Sequence, residues 1–187
     1  GARDIWFVVA VPLYLYSIGS EFLFESRLST FLFVGAFMAL WVILYGFFQA
    51  LAPLILKKYK KNYEHISVAA FKWGLYSVPI PLILSCLLYF NSNLNTAVII
   101  SVILGLFVFG FIFAINSSIH SYLILALSSK DKVAMDVGFY YSSNAVGRLI
   151  GTLLSGILYQ IGGLSLSLFC TSIFLIFSCF SIKRLSH

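Results

Sequence analysis

Apolar residues in this chain gather into long blocks, and short polar breaks separate them. The first block runs from Ile5 to Phe24 and contains Pro12, the second from Phe31 to Leu56, and the third from Ser67 to Phe90 with Pro79 and Pro81 inside it. The fourth covers Thr96 to Leu127, the fifth Val137 to Gln160 and the sixth Leu164 to Ile182. A bilayer core about 30 Å thick needs about 20 apolar residues at 1.5 Å each to cross it as a helix, and every block is near or above that length. The pattern predicts an all-α membrane protein with six transmembrane helices. The fourth block is too long for a perpendicular crossing, so it must tilt, break or protrude.

Composition agrees with that pattern. The chain is 61% hydrophobic and 10% charged, with a mean hydropathy of +1.01. Soluble domains carry roughly a quarter charged residues, so a soluble class is excluded and a lipid bilayer becomes an expected partner. A cleaved signal peptide does not account for the first block, because further blocks follow it. The chain opens at Gly1 beside an apolar block, which reads as part of something longer. Cys86, Cys170 and Cys179 fall inside apolar blocks and read as small hydrophobes, so neither a disulfide framework nor a metal site is expected.

The net charge of +6 points to nucleic acid in a soluble chain, but here its placement points elsewhere. With six crossings, Arg3, Lys57, Lys58, Lys60, Lys61, Lys130, Lys132, Lys183 and Arg184 fall on one side. The other side has Arg27 beside Glu21 and Glu25, while the turns at Asn91 to Asn95 and Gly162-Gly163 are uncharged. By the positive-inside rule both termini are cytoplasmic, and no nucleic-acid role is expected. Lys72 lies near the cytoplasmic start of the third block and can snorkel outward.

The fifth block carries the candidate chemistry. Tyr140, Asn144, Arg148, Thr152 and Tyr159 recur at helical spacing and lay polar groups along one stripe. Ser143, Gly147, Gly151 and Ser155 form a ladder of small residues beside it, of the kind that lets helix backbones approach closely in lipid. Arg148 lies about 12 residues, or roughly 18 Å, into the block and so near the bilayer midplane. A central arginine costs roughly 2.5 to 3.5 kcal/mol on insertion scales, so its charge is expected to meet an opposite one. The acids Asp4, Glu21, Glu25, Glu64, Asp131 and Asp136 all map to loops or block ends. An anionic substrate then becomes the functional reading, held in a bidentate fork by the guanidinium, with Asn144 and Tyr140 one and two turns away adding hydrogen bonds. The structural reading is an ion pair with a carboxylate on another helix.

In the fourth block Asn116, Ser117, Ser118 and His120 cluster toward the cytoplasmic third. His120 suits an anion contact or a proton relay, or a plain interhelical hydrogen bond. Gln49 in the second block and Glu21 near the outer end of the first are weaker candidates, and Trp6, Trp41 and Trp73 read as belt and packing residues. The patterns of nucleotide-binding, zinc-hydrolase and serine-hydrolase sites are missing, so the chain does not read as an enzyme and no cofactor is expected.

Four stretches share a further likeness: Asp136-Val137-Gly138-Phe139-Tyr140-Tyr141 with Asn144-Ala145-Val146-Gly147-Arg148-Leu149-Ile150-Gly151-Thr152, Ser155-Gly156 and Tyr159-Gln160 before Gly162-Gly163; Ala2-Arg3-Asp4-Ile5-Trp6-Phe7-Val8-Val9; Ala39-Leu40-Trp41-Val42 with Tyr45-Gly46 and Gln49-Ala50; and Asn116-Ser117-Ser118 with His120-Ser121-Tyr122-Leu123. Together they resemble a branch of the major facilitator superfamily, most narrowly the organoarsenical efflux permeases, which are thought to export the arsenate analogue of a phosphoglycerate. The resemblance spans essentially the whole chain. It implies the C-terminal six-helix half (residues 1–187) of a twelve-helix carrier, with a missing N-terminal half as partner and a bacterial inner membrane as location. It also implies alternating access, with a small organic oxyanion as substrate and Arg148, Asn144, Tyr140, His120, Asn116 and Gln49 as the candidate binding set. The loop from Lys57 to Ile66 departs from the superfamily's usual charged motif between paired helices. A carrier for another small anion such as a sugar phosphate, a drug carrier, and a non-transporting membrane scaffold are the alternatives.

Overall fold

The computed structural model describes residues 5–57, 63–91, 95–129 and 131–185. The basic residues Arg3, Lys58, Lys60, Lys61 and Lys130, and the acid Asp4, lie outside the described residues. Among those described there are helices and turns and no strand, and no peptide bond is cis. Helix α1 covers Ala10–Ile18 and continues into a π-helical turn, Gly19–Leu23. Then come α2 (Arg27–Ile55), α3 (Tyr63–Ser77), α4 (Pro79–Phe90), α5 (Thr96–Leu127) and α6 (Val133–Leu185). Four helical stretches are long and apolar enough to cross a membrane: Arg27–Ile55, His65–Phe90, Thr96–Leu127 and Val133–Arg184.

Local sequence explains most of the boundaries. The first block becomes regular α-helix only from Ala10, because Pro12 has no N–H to offer and is tolerated only in a first turn. Between α3 and α4 the chain is interrupted at Val78, with Pro79 opening the second piece and the Ser77 hydroxyl donating to the Gly74 carbonyl at 2.6 Å. Asn95 caps α5, its side-chain oxygen accepting the Val98 N–H at 2.9 Å. From there α5 runs unbroken for 32 residues, which leaves tilting or protrusion, not a break, to absorb its length. The fifth and sixth blocks are joined so tightly that helical hydrogen bonding runs through α6, yet Gly162 (φ −147°, ψ 21°) and Gly163 (φ 62°, ψ −158°) leave helical geometry. Gly163 occupies a region that only glycine visits without strain.

Contacts between the rods fix their relative directions. Trp6 meets Trp41 at a ring separation of 5.4 Å while Tyr16 meets Phe31 at 5.0 Å, so the first rod and α2 are antiparallel. Phe37 pairs with Phe107 at 5.3 Å and Phe48 with Phe111 at 4.8 Å, so α2 and α5 are parallel. Leu84 packs on Gly105 while Gly74 faces Asn116, which sets α3–α4 antiparallel to α5. The Ser85 hydroxyl donates to the Ser165 carbonyl at 2.8 Å and the Ser165 hydroxyl returns a bond to the Ser85 carbonyl at 2.9 Å, while Gly74 faces Cys179. Residues 164–185 therefore run antiparallel to α3–α4. Finally, the Ala10 N–H donates to Ser155 Oγ at 3.2 Å, one of the first-turn donors a helix cannot satisfy by itself.

Helix α5 is the centre of the bundle. It buries twelve residues between Val98 and Leu123 and leaves a stripe of Ile100, Leu104 and Val108 exposed. One core gathers Trp6, Val11, Leu15, Trp41, Leu106, Phe109 and Leu168; the second, at the opposite end, joins Ala52, Leu56, Ala69, Ala70, Ile119, Leu123 and Ile182. By contrast α2 and residues 133–161 leave Leu32, Leu40, Ile43, Phe47, Phe139, Val146, Leu149 and Leu153 exposed. Such faces are what lipid or another helical body would cover.

Candidate functional site at Arg148

Four rods meet at Arg148. Arg148, from α6, borders a cavity of about 200 Å³ whose remaining walls are Trp6, Phe7 and Val8 ahead of α1, Trp41, Val42 and Tyr45 of α2, and Phe113 of α5. Arg148 itself is exposed, whereas Trp6, Trp41 and Phe113 are buried. Among the described residues α2 and α6 do not touch along their backbones, so the cavity lies in a cleft between them, floored by the other two rods.

The aromatic wall is held by close packing. Trp41 stacks on Tyr45 at 5.2 Å and 14°, meets Phe7 at 4.2 Å, and crosses Trp6 edge-on; Tyr45 leads on to Phe113 at 6.0 Å. Trp41 keeps its place because its Nε1–H donates to the Leu106 carbonyl at 3.1 Å. That approach needs Gly110: a Cβ there would lie 2.8 Å from Trp41 Nε1. The Trp6 Nε1–H, on a side chain 1% exposed, has no hydrogen-bond partner among the described residues.

The predicted candidates are distributed unevenly about this cavity. Gln49 Nε2 donates to the Tyr45 hydroxyl at 3.2 Å, so Gln49 reaches the wall through a neighbour one turn away. Asn144 and Tyr140 are half-buried and follow Arg148 along the same helix face, about 6 and 12 Å further along the axis. His120 is also half-buried and stands seven residues beyond Phe113 on the corresponding face of α5. Helix directions put Gln49, His120, Asn144 and Tyr140 on the same side of Arg148, along the open cleft. Asn116 is elsewhere: it is 1% exposed, faces Gly74 between α3 and α5, and its Oδ1 has no hydrogen-bond partner among the described residues.

The small-residue ladder is engaged over half its length. Gly151 and Ser155 are buried, and Ser155 accepts from Ala10, whereas Ser143 is exposed and Gly147 half-buried. Glu21 lies in the exposed π turn, Asp136 in the first turn of α6 about 18 Å along the axis from Arg148, and Asp131 in the turn before that helix. Sequence patterning alone missed the aromatic wall, since tryptophans in a membrane chain read first as belt residues. The available signal was the i, i+4, i+8 stripe of Trp41, Tyr45 and Gln49.

The cavity can hold a small molecule with one anionic end, because a guanidinium offers paired donors and stays charged in a poorly hydrated place. Comparison of the chain with protein-family models, curated proteins and solved structures finds no match.

Proposed function

We propose that this chain is the six-crossing half of a membrane carrier that exports a small organic oxyanion by alternating access, with Arg148 as the anchor of its cargo. The observation that carries the reading is the setting of Arg148 at mid-helix on the rim of a small cavity built by four different rods. Carriers bind near the midplane, where rods from a repeat meet and a rocking motion can expose the site to either side. The alternating rod directions are those six successive crossings would have, and the turn at Gly162-Gly163 divides α6 into two lengths that each suffice to span. Loops at Lys57 and Lys132 then share the cytoplasmic side with the termini by the positive-inside rule. The exposed apolar side chains of α2 and residues 133–161 flank the mouth of the cleft and suit a second six-helix body seated there.

For the cargo, the motif around Asn144 and Arg148 resembles the organoarsenical efflux permeases of the major facilitator superfamily, in a bacterial inner membrane. An arsenophosphoglycerate or a related organoarsenical is the cargo that resemblance implies, with Asn144, Tyr140, His120 and Gln49 on the cytoplasmic side of Arg148 as further contacts to it. Arg148→Ala in the full-length protein is expected to abolish export of such an anion from cells while membrane insertion is unchanged. Arg148→Lys is expected to lose most of the activity, since a point charge cannot reproduce the planar fork. Wild-type export by Arg148→Ala would refute the role.

A further inference from the structure

Trp41 and Tyr45 have a second side. Between α2 and α5 they close a recess of about 330 Å³ that Arg148 does not border, whose other walls include Leu44, Phe48, Phe107, Val108 and Phe111. Among the described residues no charged side chain lines it. Pockets that hold small molecules begin at about 300 Å³. Nearer the start of both helices, a recess of about 480 Å³ lies in the same seam, between Phe33 of α2 and Ile99 and Ile103 of α5, with Asn95 and Thr96 at its end. The Phe37–Phe107 pair stands between the two recesses. The exposed side chains Ile100, Leu104 and Val108, spaced i, i+4, i+8, run along α5 from one to the other. We infer that this seam seats one phospholipid of the leaflet at the Asn95 end, with its headgroup region at Asn95 and Thr96 and one acyl chain laid along α5 as far as Trp41.

Length and polarity identify the occupant. Twelve residues of α5 separate Thr96 from Val108, about 18 Å along the axis. One leaflet of the hydrocarbon core is about 15 Å thick, so a tail that starts at the Asn95 end reaches the inner recess. The seam offers exposed polar side chains at that end and apolar walls along the rest, which is the profile of a lipid. A tail gains no hydrophobic energy by leaving other tails, so its retention rests on contact with fixed walls. A partner helix, about 10 Å across, would bridge the seam and leave both recesses unfilled, whereas a flexible chain follows them. Trp41 and Tyr45 wall both the inner recess and the Arg148 cavity, so the tail backs the pair that faces the cargo site. The lipid seat stands apart from the anion anchor and does not depend on it.

The test uses the full-length protein with Trp41 as its sole tryptophan, the others replaced by phenylalanine, in nanodiscs of phosphatidylcholine brominated midway along its chains. Bromine quenches indole emission on contact, and Trp41 is only 5% exposed, so a tail must enter a recess to reach it. Emission is expected to fall by at least half relative to unbrominated discs. The double variant Leu44→Phe/Val108→Phe, which fills the inner recess from both helices, is expected to recover most of it. Undiminished emission before filling would give the seam to protein and overturn the inference. Equal quenching with and without the two phenylalanines would put the tail on the Arg148 side of Trp41 and overturn it as well. Native mass spectrometry of the protein with all its tryptophans, released from detergent, is a second reading. One retained phosphatidylcholine is expected, absent from the Leu44→Phe/Val108→Phe variant; retention by both or by neither would overturn the inference. Arg148→Ala is expected to leave quenching and lipid retention unchanged, so a failure of the anion anchor and a failure of the lipid seat are read separately.

Discussion

Two single positions, Ser155 and Gly110, hold the first rod and the aromatic wall in place. Ser155 Oγ accepts the Ala10 N–H, an amide that the first turn of its own helix leaves open. Ser155→Ala is expected to cost about 1 to 3 kcal/mol, the range for a buried donor left unmatched, and Ser155→Thr to cost less. Thermal unfolding of the purified protein in detergent checks both; equal midpoints for wild type and Ser155→Ala would count against a structural role for this bond. Gly110 is the second case. Its missing side chain admits the Trp41 indole to the Leu106 carbonyl, so Gly110→Ala forces Trp41 to move by a few tenths of an ångström or more. A shift in tryptophan emission with loss of cargo binding is the expected outcome, and an unchanged spectrum would contradict it. At this scale the sequence showed Arg148 and its polar stripe plainly, because a charge in an apolar block stands out. The ring partners did not stand out, since 18% of the chain is aromatic and no local pattern says which rings meet.

The blocks of apolar residues forecast the helices well where the chain supplies its own caps and breaks. α5 begins and ends where the pattern put it, at Thr96 and Leu127, with Asn95 as the cap. The first block was legible only in part: Pro12 delays regular helix to Ala10, and the π turn at Gly19–Leu23 has no sequence signature that periodicity detects. Pro79 was visible, but not whether it would bend the third block or interrupt it; the interruption at Val78 follows from a proline at the start of α4. The Gly162-Gly163 pair was expected as a turn, and Gly163 meets the requirement with φ 62°. Gly163→Ala is expected to cost about 1 to 3 kcal/mol of strain, and Gly156→Ala, where a Cβ meets nothing within 4 Å, to be tolerated. Comparing protease resistance of the two variants in detergent distinguishes them; indistinguishable resistance would mean that the turn relaxes freely.

At the level of the whole molecule, hydropathy gave the helical membrane class and charge bias an expectation of sidedness, while the assignment of rods to the cavity needed three dimensions. Asn116 and Arg148 both looked like mid-helix polar candidates, yet one faces Gly74 inside the bundle and the other borders the open cleft. Sequence spacing fixes which residues share a face of one helix, not which face looks at which neighbour. The proposed six-crossing arrangement makes a concrete forecast: a cysteine at Ser129 is labelled from the cytoplasm, and one at Ser26 only from outside, in a background lacking Cys86, Cys170 and Cys179. Labelling of both from one side would contradict it.

The most direct test concerns whether a negatively charged organic molecule rests against Arg148. Calorimetric titration of an organic arsonate into the full-length protein in nanodiscs, wild type beside Arg148→Ala, measures this without the transport cycle. The expected result is a fall in affinity of about 30-fold or more, the consequence of removing one partner from a desolvated charge pair at 2 kcal/mol or above. Equal affinity in a variant that inserts and unfolds like wild type would contradict the account.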